Sequence, residues 1–290
     1  MRSANLKLDV VCVKDSQGKM SKIQQLIDRG EEITGKILYR LKPLLPTMFR
    51  LLLLSTFLED SIHIALEPGA QTDYIDIVWD FGEVVAHLIV FWCFCGQVFG
   101  SLMILFRFRV AAACGWLFTV VIIHSLAFGT LWGRQFISAN IALLGGLFLL
   151  LAEAYTETRS DIPGLPHSGQ NTHKWYLQLA GRILLLFMFL SVTNFDFSLL
   201  EILKNCIAWT LIVLIAIGYK TRLSAITLVL WLLAWNFYQH PYWNIPPYDN
   251  QLRDAIKYDF FKTLSVIGGF LMVVLHGPGG VSLDEKDKLL

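Results

Sequence analysis

The sequence predicts an all-α polytopic membrane protein of about eight transmembrane helices, arranged as two parallel four-helix repeats. Three observations predict it. The 290 residues are 55% hydrophobic and only 16% charged, with a mean hydropathy of +0.54, whereas an average soluble domain is about a quarter charged. Apolar runs recur along the chain, with room for roughly eight spans of ~20 residues. The halves also share a succession of similar stretches. The same composition excludes a disordered chain, a collagen-like fibre and a secreted disulfide scaffold. A net charge of +1 leaves no basic footprint for nucleic acid.

The N-terminal region, residues 1–43, carries many charges and no uninterrupted apolar stretch near Met1, so it is not a signal peptide. Ile23, Leu26, Ile27, Ile37, Leu38 and Leu41 fall near helical spacing. This predicts an amphipathic helix on the bilayer surface, interrupted at Gly30. Pro43 and Pro46 mark entry to the membrane. The apolar segments then run approximately 44–58, 84–106, 110–132, 136–152, 176–195, 199–218, 223–238 and 260–275. The expected organisation is a first four-helix repeat at 44–155, a cytosolic linker at 156–175, a second repeat at 176–276 and a cytosolic tail at 277–290.

The run from Arg50 to Asp60 resembles the run that begins at Arg182. Arg107-Phe-Arg109, before the third segment, has a counterpart in Lys220-Thr-Arg222 before the seventh, and Gly145-Gly146 matches Gly268-Gly269. An even number of spans per unit gives repeats of the same orientation. The paired glycines suit close helix approach.

Orientation follows from Lys/Arg asymmetry near the spans. With both ends cytosolic, nineteen Lys/Arg fall on the cytosolic side and five on the other. The opposite face is unusual. Residues 59–83 hold seven Asp/Glu and no Lys or Arg, with Tyr74 and Trp79, and residues 239–257 bring Pro241, Tyr242, Trp243, Pro246, Pro247 and Tyr248. Carboxylates pair cations and exposed rings stack on apolar groups, so Glu59, Asp60, Asp73, Asp76, Tyr74, Trp79, Tyr242 and Trp243 form a candidate binding surface on this face. An interfacial aromatic belt with a hydrated acidic loop is the competing reading. Lys286 and Lys288, third and fifth from the end, fit a K-x-K-x-x retrieval signal.

Other residues support less. Cys93 and Cys95, two apart on a helix, face different ways and read as packing groups. No cysteine spacing indicates a metal site. Glu83 with His87, and His124 inside a span, are weak leads for proton or metal chemistry. Arg50 and Arg182, at cytosolic span ends, suit snorkelling or lipid phosphate. No nucleophile motif or phosphate-cradling loop occurs, so no cofactor is expected and the protein is read as non-enzymatic.

Ordered stretches carry a family resemblance. Leu53-Leu-Ser-Thr-Phe-Leu-Glu-Asp60, Asp73-Tyr-Ile-Asp76 with Trp79, Leu177-Gln-Leu-Ala-Gly-Arg182, Ala216-Ile-Gly-Tyr-Lys-Thr221 and Lys257-Tyr-Asp-Phe-Phe261 resemble the surfeit locus protein 4 family. So do Ser265-Val-Ile-Gly-Gly269, Gly277-Pro-Gly-Gly-Val-Ser282 and Asp284-Glu-Lys286. The resemblance covers about residues 44–288, and the four-span unit is similar to the bacterial DoxX-type membrane fold. It implies a receptor cycling between the endoplasmic reticulum, the intermediate compartment and the early Golgi. Such a receptor collects soluble secretory proteins in the lumen, lipoprotein-type cargo included, and some members recognise a hydrophobic–proline–polar motif near the cargo's N-terminus, which makes the eight acidic and aromatic residues above the candidate lumenal cargo site. Its other implied partners are the COPII and COPI coats, membrane lipids and, as an open matter, further copies of itself. Lipid scrambling or small-molecule transport is the alternative.

Overall fold

A computed structural model describes residues 43–80, 82–128, 134–160, 199–217, 219–246 and 249–276, with scattered positions at 25–41 and 183–190. Most of the expected fifth segment, Arg182, and the tail with Lys286 and Lys288 lie outside the described residues. The chain divides into two compact units, 1–43 and 44–290.

In the first unit every described residue between 25 and 41 is helical, Gly30 among them. The expected interruption there is absent, since one glycine costs a helix only about 1 kcal/mol. Ile33 and Tyr39 are exposed, and Lys36 pairs with Glu32 one turn away at 2.6 Å. That ammonium holds the Glu32 carboxyl below its usual range.

The second unit is helical throughout its described elements, with no strand among them. They are α1 (Leu45–Leu53), α2 (Ser55–Leu66), α3 (Pro68–Trp79), α4 (Glu83–Leu105), α5 (Val110–Ala127), α6 (Arg134–Ser160), α7 (Leu199–Ile217), α8 (Thr221–Gln239), a 3-10 turn (Tyr242–Asn244) and α9 (Asn250–His276). Three stretches are long and apolar enough to cross a membrane: Glu83–Leu105, Val110–Ala127 and Asn250–Leu275. Two expected boundaries move. The first segment continues as helix to Leu66, and the last begins at Asn250 rather than Phe260. In both places the extra turns carry charges that an apolar pattern misreads as loop, although helical hydrogen bonding continues through them. Residues 59–83, read as a loop, are likewise mostly helix.

Pro46 sits in the first turn of α1, where its missing N–H costs nothing. α3 ends at Asp80 in the left-handed conformation (φ 52°), which a short polar side chain tolerates. α5 and α8 begin alike. Arg109 (φ 45°, ψ 52°) and Lys220 (φ 44°, ψ 45°) each precede the helix in left-handed backbone. The preceding Phe108 and Tyr219 N–H groups donate five residues back, to Met103 O at 2.8 Å and Leu214 O at 3.0 Å. This geometry pairs Lys220 with Arg109, two residues later than the sequence match placed it.

The seam between α9 and α1–α2 is polar and close. Ser265 Oγ donates to Leu53 O at 2.9 Å, and Ser55 Oγ to Phe261 O at 3.0 Å. A Cβ at Gly268 would lie 2.7 Å from Leu53 N and 2.9 Å from Phe49 O, so the two backbones touch there. α4 meets α5 by the same means, with Gly96 against Val120 and Gly100 against Leu117.

Arg50, expected to snorkel or hold lipid phosphate, does neither. It is 2% exposed and forms a two-pronged ion pair with Glu153 of α6. Nε donates to Oε2 at 3.0 Å and Nη2 donates to Oε1. Inside a bundle an arginine reaches lower free energy by pairing than by extending toward water. Cys93 and Cys114 are buried and unbridged, as packing groups.

Four variants of the purified protein in detergent have expected outcomes. Gly268→Ala forces two backbones apart and costs about 1–3 kcal/mol, read as a lowered melting temperature. Gly115→Ala, inside α5 and with nothing within 4 Å of the new methyl, does not lower melting and stabilises by up to about 1 kcal/mol. Glu153→Ala strands a buried guanidinium and costs about 3–5 kcal/mol, most of it recovered in the Arg50→Met/Glu153→Leu double variant.

Candidate binding pocket

Helical spacing builds one wall of a pocket in the second unit. His63, Leu66 and Glu67 fall at i, i+3 and i+4 where α2 ends, so they share one face. Arg253, Asp254 and Lys257 fall at i, i+1 and i+4 in the first turns of α9 and face them. Between these helices runs the segment after α8, with Tyr242, Trp243 and Ile245. Together these nine residues line a cavity of about 500 Å³, within the range of small-ligand sites.

The aromatic side is braced from below. Tyr242 and Trp243 pack on Phe260 at ring-centroid separations of 5.4 and 6.1 Å and on each other at 5.2 Å. Fully buried Asn236 donates to Phe260 O at 3.1 Å, and its Oδ1 lies 2.8 Å from His240 Nδ1. The residue that carries the rings is thus tied to α8. Trp243 itself remains half exposed.

The charged side is partly compensated from within. Lys257 Nζ sits 3.3 Å from Oε1 of Glu59, whose side chain is only 4% exposed. His63 Nδ1 lies 4.0 Å from Asp254 Oδ2. A second cluster, deeper between α2, α4 and α5, centres on Asp60. Gln97 Nε2 donates to it at 2.5 Å, Ser61 Oγ donates to Gln97 Oε1 at 3.2 Å, and His124 Nε2 stands 3.6 Å from Asp60 Oδ2.

The structure divides the eight candidate residues. Tyr242 and Trp243 line the pocket, and Glu59 reaches it through Lys257. Asp60 belongs to the deeper cluster. Tyr74 and Trp79 dock α3 onto the end of α5: Tyr74 Oη donates to Phe128 O at 3.3 Å and stacks on its ring at 5.7 Å, and Trp79 Nε1 donates to Ala127 O at 2.8 Å. Asp73 on the same helix is exposed, and Asp76 keeps a buried carboxylate oxygen without a donor. His87 Nδ1 meets the Glu83 main-chain carbonyl at 2.8 Å, not its carboxylate. No metal-holding cluster of His, Cys, Asp and Glu occurs among the described residues.

Five polar pocket residues were not among the candidates read from sequence: His63, Glu67, Arg253, Asp254 and Lys257. The signal was available in their i, i+3 and i+4 spacing, and reading 250–259 as loop concealed it. The basic turns Arg107–Arg109 and Lys220–Arg222 lie at the far ends of α4 and α8 from the pocket. One face of the bundle is therefore basic, and the other carries the cavity.

A model of the SURF4 family matches residues 24–290. The surfeit locus protein 4 homolog of Drosophila melanogaster is 44% identical over 93% of this chain and 99% of its own. That of Schizosaccharomyces pombe is 34% identical over 85% and 83%. The ER-derived vesicles protein ERV29 of Saccharomyces cerevisiae is 32% identical over 93% and 83%. No solved structure matches. With a match across most of its length, the chain belongs to the SURF4 family.

Proposed function

We propose that this protein is a non-enzymatic cargo receptor between the endoplasmic reticulum and the Golgi, and that the aromatic pocket is its cargo site. The observation that carries the reading is the pocket itself, a ring-walled cavity with carboxylates at its rim on the face away from the basic turns. The name of the yeast relative, an ER-derived vesicles protein, supports the compartment. In this reading the pocket faces the lumen and takes the N-terminal segment of soluble secretory proteins, lipoprotein-type cargo among them. The ammonium group meets carboxylate and an apolar–proline pair lies on Tyr242 and Trp243, since proline is extended before it binds and loses little freedom.

The remainder of the proposal concerns topology and traffic. Eight spans in two parallel four-helix DoxX-like repeats place both termini in the cytosol. The twin turns at Arg109 and Lys220 support the repeat, and their four basic residues support that sidedness. COPII loading carries the receptor forward, and COPI retrieves it through Lys286 and Lys288.

Transport or lipid scrambling is a second reading, favoured by the Asp60–Gln97–His124 cluster between helices. Lipid flip-flop by the purified chain in liposomes, abolished in His124→Ala, would establish it over the receptor reading.

Two measurements test the receptor. The full-length chain in detergent binds an apolar–proline peptide, and Trp243→Ala weakens binding by about tenfold, the worth of a good aromatic contact. Unchanged affinity in that variant moves the cargo site elsewhere. In cells, Lys286→Ser with Lys288→Ser shifts the protein from the early secretory pathway to later compartments. Unchanged residence removes the tail from the retrieval step.

A further inference from the structure

Two histidines of the second unit share one setting. His124 lies in the last turn of α5 and His63 in the last turn of α2, where the helix dipole favours a cation. Each stands near a carboxylate of another helix. His124 Nε2 is 3.6 Å from Asp60 Oδ2, and His63 Nδ1 is 4.0 Å from Asp254 Oδ2. All four side chains are between 23% and 28% exposed, so protons reach both pairs from water. The His124 ring also packs on Phe128 at a centroid separation of 4.5 Å, and an aromatic face attracts a cation.

Imidazole gains and loses its charge between about pH 5 and 8. Both separations exceed the about 2.7–2.9 Å of a charge-assisted hydrogen bond. A proton on either ring supplies a cation for the carboxylate opposite, and the gap closes. Closed pairs are therefore favoured as pH falls through that range and lost as it rises. The groups around them are fixed in charge or committed. Asp60 accepts from Gln97 of α4, and its other titratable neighbours include Cys93 of α4 and Tyr258 of α9, a thiol and a phenol that are neutral there. Tyr74 of α3 stacks on Phe128. Glu59, which faces His63, is paired with Lys257, and Arg253 and Glu67 line the same cavity as His63 and Asp254.

We propose that these two pairs make α2 a proton-operated clamp. One proton draws α2 toward α5. The other draws its last turn toward the first turns of α9, across the cavity that His63 and Asp254 line from opposing helices. The pocket is open at neutral pH and narrowed in acid, so acidification empties it. Only the emptying step rests on the cargo-site reading. The clamp is a property of the helices alone.

The test begins with melting of the full-length chain in detergent at about pH 6 and about pH 8, the two sides of the imidazole range. Wild type, His124→Gln, Asp60→Asn and their double variant form one cycle, and His63→Gln with Asp254→Asn forms a second. In each cycle the coupling between partners is present in acid and absent at the higher pH. Coupling that is the same at both values in either cycle, as an ordinary structural contact gives, overturns the clamp.

A fluorescent apolar–proline peptide is then titrated against the same proteins. Its affinity for wild type falls by about threefold on acidification, the scale of one part-exposed ion pair, and His63→Gln abolishes the fall. With pH-dependent coupling established, equal peptide affinity at both values overturns the emptying step and leaves the cargo site standing. Absence of peptide binding to wild type at either value overturns the cargo-site reading, while the melting cycles still decide the clamp.

Discussion

The contact on which the second unit depends is the seam where α9 lies against α1 and α2. At Gly268 there is no room for a methyl group: its Cβ would sit 2.7 Å from Leu53 N. Within lipid the hydrophobic effect does not press one helix against another, so association comes from close van der Waals packing and interhelical hydrogen bonds. The seam supplies both, through the glycine and through hydroxyls that donate across it from Ser265 and Ser55. Other features are placed by that contact. It sets α9 beside α1 and α2, so that the early turns of α9 and the last turn of α2 project from the same end and face one another. The pocket is the space left where the two helices continue beyond their tightest approach.

Charge placement follows from the same geometry. Between the packed helices three acidic or basic groups have found a partner of opposite sign or a hydrogen-bond donor: Arg50 with Glu153, Glu59 with Lys257, Asp60 with Gln97 and His124. Each of these links different helices, so each fixes the relative rotation of the elements it joins as well as neutralising a charge. At the cavity, where the helices diverge, the Arg253 and Glu67 side chains have no ion pair or hydrogen bond among the described residues.

Much of this architecture was legible in the sequence, and its omissions have identifiable causes. Apolar length alone located α4, α5, α7 and α8 within a few residues, because a lipid-facing helix must be apolar over most of its circumference. The same criterion truncated α2 and α9. Their terminal turns carry Glu59, Asp60, His63, Arg253, Asp254 and Lys257, and hydropathy scores such turns as loop although the backbone hydrogen bonds continue. The acidic stretch 59–83 was correctly marked as unusual, but composition could not separate its members. Tyr74 and Trp79 looked like recognition residues and instead anchor α3 through main-chain carbonyls at the end of α5. Tyr242 and Trp243, of the same chemical kind, do line the cavity. The distinction rests on what lies opposite each ring, which is tertiary information.

Arg50 shows why such charges need a partner search and not a positional rule. Its place near the start of a span suggested the membrane surface, and a long side chain can indeed extend toward water from there. Extension, however, requires a free path, and Arg50 is enclosed by the elements packed around α1. An enclosed guanidinium without a counter-ion is too costly to persist, so an acid had to arrive from elsewhere in the chain. Glu153 is the acid that does so, 103 residues away and, like Arg50, buried. The same reasoning applied to the uncommitted charges of the cavity reaches the opposite conclusion. Arg253 and Glu67 are open enough to be hydrated while the pocket is empty, so no internal partner is required and an external one can compete with water for them.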